Sequence, residues 1–213
     1  MLLHGFDPTL IMIYVLVMFI SFPIHEAAHG FVAMKLGDNT AKNMGRVTLN
    51  PIPHISLMGA LMMIAVGFGF AKPVPVNPNN FTKVSRKVGM ALTSLAGPVS
   101  NLLLAYVFLV FYRFVHADVN GNFIYVLSMI ISLNIGLAIF NLIPIPPLDG
   151  SRILLLVLGE RQYFNIMKYE MYSFLALFVL LQLGFMTGFL YTARNVILNL
   201  LFFLSNWVDV FVK

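Results

Sequence analysis

Phe22-Pro23-Ile24-His25-Glu26-Ala27-Ala28-His29-Gly30 lies inside an apolar run that covers residues 10–34. As a helix that run rises about 37 Å, more than the roughly 30 Å of a bilayer's hydrocarbon core. His25 and His29 are four positions apart, so on a helix they share one face and can grip a single metal ion. Glu26 follows the first of them. Two imidazoles and a carboxylate inside a hydrophobic span are costly, and residues of that kind mark function. The stretch therefore reads as a membrane-crossing helix that carries a polar site. The rest of the chain has to supply a third ligand, access for water, and further apolar helices around the site.

Composition agrees. The 213 residues are 60% hydrophobic and 10% charged, with a mean hydropathy of +0.89, which describes an integral membrane protein. One domain over residues 1–213 is expected, with a three-helix core at about 10–158 and accessory helices over 171–213. The net charge of +5 does not point to nucleic acid. Lys and Arg sit between the apolar segments, where they orient a membrane protein, and the expected partner there is the lipid bilayer. There is no Cys, which excludes disulfides and thiolate ligands and leaves His, Asp and Glu to bind a metal. The first basic residue is Lys35. Without a basic stretch ahead of it, the first apolar run reads as a resident helix rather than a signal peptide.

Further along, residues 55–70 are apolar but would rise only about 24 Å as a helix, and they contain Gly59, Gly67 and Gly69. Pro73, Pro75 and Pro78 make residues 71–78 extended. Residues 88–115 form a second span, interrupted at 96–101 by Gly97-Pro98, and residues 123–142 form a third. The piece at 153–158 is short, and 159–170 is polar enough for a loop or surface helix. Residues 171–186 and 189–212 read as two more helices, split at Thr187-Gly188. The fold class is thus an all-α polytopic membrane protein with about five transmembrane helices and a re-entrant segment at about 55–70.

Charge decides the re-entrant reading. If 55–70 does not cross, Lys35, Lys42, Arg46, Lys72, Lys83, Arg86, Lys87, Arg152, Arg161 and Lys168 share a side, against Arg113 alone. If it crosses, the split is four against seven. The positive-inside rule favours the first arrangement, and non-helical backbone at that depth must be buried in protein or line a wet cavity. The same reading makes the first and third spans parallel. It places the N-terminus outside and the site toward the cytoplasmic side.

His25, Glu26 and His29 form the pattern H-E-x-x-H, in which two histidines bind zinc and the glutamate is general base. Asp149 is the natural third ligand. Pro144, Pro146 and Pro147 break the helix before it and Gly150 frees the backbone after it, although an Asp-Gly turn at the membrane surface has the same signature. Two His and one Asp leave a fourth tetrahedral position for water, and Glu26 is placed to take its proton.

These residues resemble the site-2 protease family of intramembrane zinc metalloproteases. The resemblance rests on His25-Glu26-Ala27-Ala28-His29, Ser94-Leu95-Ala96-Gly97-Pro98-Val99-Ser100-Asn101 and Asn141…Pro144-Ile145-Pro146-Pro147-Leu148-Asp149-Gly150. It covers about 10–158 and looks like the compact subgroup without PDZ or CBS domains. It implies one zinc ion per chain on His25, His29 and Asp149, with Glu26 as general base. It further implies transmembrane protein substrates cut near the cytoplasmic face of a bacterial cell membrane. Asn141 matches the family asparagine that binds the substrate backbone or the tetrahedral intermediate; as a lone amide it could equally bridge helices. Asn101 matches a position that lines the substrate path, where Gly97-Pro98 could instead serve close helix packing. The family's acid after the His-Ile pair is absent here, since Ser56 and Leu57 follow His54-Ile55. His54 is read as an interfacial loop residue, and His4 and His116 carry no role. The competing function is a membrane transporter of zinc or another metal ion, which would not need Glu26. A catalytically inactive adaptor is a third reading, and the intact triad with Glu26 argues against it.

Overall fold

The structure, a computed structural model, describes residues 8–66, 69–115 and 121–211; His4 and His116 lie outside them. Among the described residues every regular element is helical. The chain forms two compact units, Met1–Gly89 and Met90–Lys213.

In the first unit, α1 (Pro8–Lys35) contains the quoted stretch. Ile13, Val17, Ser21, His25, His29 and Ala33 are all buried. Their spacing of four puts them along one slowly turning stripe, so the histidines lie on the packed side of the helix. Met12, Phe19 and Phe31 are exposed, which suits a face turned to lipid. After α1 come α2 (Thr40–Asn43), a 3-10 turn at Ile52–His54 and α3 (Leu57–Val66).

Two closures show where the chain between α1 and the next span travels. The Leu36 carbonyl accepts from the Thr82 and Lys83 N–H groups, at 3.1 and 3.3 Å. Inside that loop, the His54 carbonyl accepts from Lys72 N–H at 2.8 Å. A segment whose two ends meet has not crossed anything. With ten residues, α3 rises about 15 Å and the chain then folds back against it. A Cβ on Gly59 would stand 1.9 Å from the Phe70 carbonyl oxygen, and one on Gly69 would stand 2.4 Å from the Gly59 carbonyl oxygen. The glycines permit the close return, and the described part of 55–70 folds back as charge bias requires; Gly67 lies outside the described residues.

In the second unit, α4 (Arg86–Val115, whose first turn lies in the first unit), α5 (Gly121–Leu142) and α9 (Thr187–Leu204) share a core. Ala105, Leu109, Ile131, Ile135, Ile139 and Leu201 form it. Between α5 and α9 lie α6 (Gly150–Val157), α7 (Glu160–Met167) and α8 (Glu170–Gln182). The expected interruption of the second span is absent: α4 runs through Pro98. Proline removes one helical donor without ending a helix whose neighbours re-satisfy the backbone.

Among the described residues four helices, α1, α4, α5 and α9, are long and apolar enough to cross a membrane, and α7 with α8 would make a fifth as a pair bent by 57°. Contacts within the second unit place the bent pair. Arg113, near the end of α4, donates to the Phe202 carbonyl, to Ser205 Oγ and to Asp209, so the C-terminal end of α9 lies beside the C-terminal end of α4. The opposite end of α9 lines a cleft with Ile139, Leu142, Ile143 and Pro144. Leu177 and Leu181 of α8 pack on Ile143 and Leu148 at that same end. Both neighbours of the bent pair therefore lie at one end of the second unit, and the span count is four, or five with the bent pair.

Candidate metal centre

His25, Glu26 and His29 are each buried, at 8% exposure. The helical spacing brings His25 Nε2 and His29 Nε2 to 3.0 Å with the rings edge-on at 85°. Two nitrogens each bound to one tetrahedral zinc ion stand about 3.3 Å apart. The pair already converges on nearly that spacing, and neutral His donors suit the ion, so these residues fit a bound zinc.

Glu26 is held from outside its own helix. Its Oε2 accepts from Val74 N–H at 2.8 Å, and Val74 belongs to the extended strap that returns from α3. Among the described residues the strap has no neighbouring strand; the bond from Lys72 N–H to the His54 carbonyl holds its start, and side chains hold the rest. Arg46 donates through Nη2 to the carbonyls of Lys72 and Pro73, at 2.6 and 3.3 Å. Asp38 accepts from Asn77 N–H at 2.7 Å and from Asn80 Nδ2 at 3.0 Å, as well as from the Thr40 amide and hydroxyl. Burial alone would raise the Asp38 carboxyl, but the bonds from Thr40, Asn77 and Asn80 outweigh it and hold it below the ordinary aspartate range.

Sequence reasoning missed Arg46 and Asp38 as parts of the site. Arg46 entered as one basic residue among ten and Asp38 carried no role. Their burial was the missing signal, and nothing local in the sequence announces it.

Asp149 and Asn141 lie in the second unit. Asp149 takes the cap position of α6, yet its side chain does not cap that helix. The turn that holds it depends on Gly150, where a Cβ would fall 2.2 Å from the Leu142 carbonyl oxygen. Asn141 is half-buried and its Nδ2 donates to the Leu137 carbonyl at 3.0 Å. Asn101 is buried with both amide atoms unpartnered among the described residues. His54, back in the first unit, is buried and bonded through Nε2 to the Thr48 carbonyl at 2.9 Å, a fixing role at the foot of the re-entrant loop.

The family model for peptidase family M50 matches residues 115–183. A protein of Bacillus subtilis named as a zinc metalloprotease, YwhC, is 40% identical over 173 residues, 78% of each chain. The chain belongs to peptidase family M50. It is also 32% identical over 132 residues to Rip2 of Mycolicibacterium smegmatis, likewise named as a zinc metalloprotease, covering 60% of this chain and 50% of that one. Zinc metalloprotease MJ0392 of Methanocaldococcus jannaschii is 29% identical over 147 residues, 68% of this chain and 34% of its own length. No solved structure matches the chain. Membership makes this M50 chain a hydrolase of the peptidase class and an integral membrane protein, and it bears out the resemblance read from the three motifs.

Proposed function

We propose that the chain is a zinc-dependent intramembrane endopeptidase that hydrolyses transmembrane protein substrates in a bacterial cell membrane, with its active site toward the cytoplasmic side. One observation carries this reading: two imidazole nitrogens converge beside a buried glutamate on the packed face of a membrane-crossing helix. The names of the M50 relatives give the metal as zinc. His25, His29 and Asp149 would hold it. When bound, the ion supplies a Lewis acid that makes water acidic enough to deprotonate near neutral pH.

The chain's own groups do the rest. Glu26 takes the proton of the attacking water and passes it to the leaving amine. The Val74 N–H fixes one of its oxygens and leaves the other for the proton. Asn141 would turn its amide from its own helix to the oxyanion that develops on the carbonyl. A helical substrate presents no accessible peptide bond, so it must unwind before it is cut. The extended strap at 72–77 offers an edge on which an unwound segment can be held as a strand.

The test is purified protein with a zinc assay and a panel of single-span substrates, wild type against Glu26→Gln. Zinc retained with cleavage abolished is the expected result. Cleavage by Glu26→Gln sinks the general-base role, and zinc flux in vesicles that survives the change favours the transporter.

A further inference from the structure

The carbonyl of Pro73 and the N–H of Val74 are the two ends of one planar peptide group. Arg46 Nη2 donates to the carbonyl end at 3.3 Å and to the preceding Lys72 carbonyl at 2.6 Å. Glu26 Oε2 accepts from the N–H end at 2.8 Å. A guanidinium, one rigid peptide and the glutamate thus lie in series. The geometry points to Arg46 as a positioning residue for the peptidase reaction: it sets the Pro73–Val74 peptide so that its N–H faces Glu26.

A full flip of this peptide is barred, because it would need a positive φ at Val74, a β-branched residue before Pro75. Sterics still leave the plane free to tilt, and a tilt takes its N–H off the line to Glu26. Arg46 opposes the tilt because its cation is favourable only when the carbonyls point its way. Donation to the carbonyl also polarises the peptide and strengthens its N–H as a donor to Glu26.

Stability is a weak explanation for this arginine. Arg46 is 7% exposed and its Nε is buried without a partner. A buried cation with an unsatisfied donor is commonly no better for stability than an apolar side chain of similar size. What an apolar side chain cannot do is hold the peptide's carbonyl and so steady the N–H that meets Glu26. Lysine keeps the charge, but its ammonium on a flexible stem lacks the planar, pre-organised guanidinium and holds the carbonyls less firmly.

This inference rests on the reading of Glu26 as general base. The experiment compares wild type, Arg46→Met, Arg46→Lys and Glu26→Gln, with the best-cleaved single-span reporter of the panel as substrate. Zinc content, melting temperature, kcat and KM are measured for each. Hydrogen exchange of the amides in 72–77 is followed in metal-free protein. The expected result for Arg46→Met is tenfold or greater loss of kcat, with KM, zinc content and melting temperature close to wild type, and faster exchange in the strap. Arg46→Lys should recover part of both effects. Unchanged kcat in Arg46→Met overturns the proposal, as does a loss of kcat that merely follows lost zinc or lost folding. If Glu26→Gln cleaves while Arg46→Met does not, the base assignment fails first, and the two failures are told apart.

Discussion

Asp38 shows how much a single side chain can organise just beyond the membrane-spanning part of α1. Its carboxylate gathers the Thr40 amide and hydroxyl, Asn77 N–H and Asn80 Nδ2, and so pins the far end of the strap near the end of α1. Its folded-state pKa is depressed. The stabilisation is therefore complete above the ordinary aspartate value of about 3.9 and is lost as pH falls through the lower folded value. Asp38→Asn puts an amide where one of the donors now binds, and a loss of about 1–3 kcal/mol is expected. Thermal melting in detergent between neutral pH and pH 3 checks both points. The wild type should lose its advantage over the variant toward the acid end. A constant difference across that range would refute the charge-based account.

At the scale of the element, the turn after α5 depends on the absence of a side chain. Gly150 passes so close to the Leu142 and Ile143 carbonyls that an added Cβ would meet backbone oxygens at 2.2 and 2.6 Å. The turn at the end of α5 that presents Asp149 cannot relax around that methyl group. Gly150→Ala is expected to cost about 1–3 kcal/mol and to lower zinc content. Gly136→Ala, in the same α5 helix, is the matched control. Its Cβ would meet nothing within 4 Å, and the gain in helix propensity of up to about 1 kcal/mol should leave it neutral or slightly stabilised. Chemical denaturation and metal analysis of the two variants decide the matter. Equal behaviour would mean that the turn adapts.

The scale of the whole molecule is the scale of topology. Arg113 ties the far end of α4 to the C-terminal end of α9, and α8 packs where α5 ends. On that packing the second unit is expected to cross by α4, α5 and α9. The chain has no cysteine, so single cysteines report sidedness cleanly. In sealed vesicles, Asn206→Cys should react from the side opposite Arg161→Cys. Labelling of positions 161 and 206 from one side would show α8 to be a span. The sequence by itself determined that the protein is all-helical and membrane-embedded. It also determined that α1 presents His25 and His29 together and that residues 55–70 turn back. Run length, a spacing of four and the distribution of Lys and Arg are local properties, and local properties survive in a linear string. Tertiary structure alone decided that α4 continues through Pro98, that α8 packs where α5 ends, and that Glu26 is held through a peptide gripped by Arg46. An apolar run records that a segment leaves water, not the direction in which it travels. The bonds that fix Glu26 and Arg46 join residues 48 and 27 positions apart, and partners at that separation leave no periodic trace in the sequence.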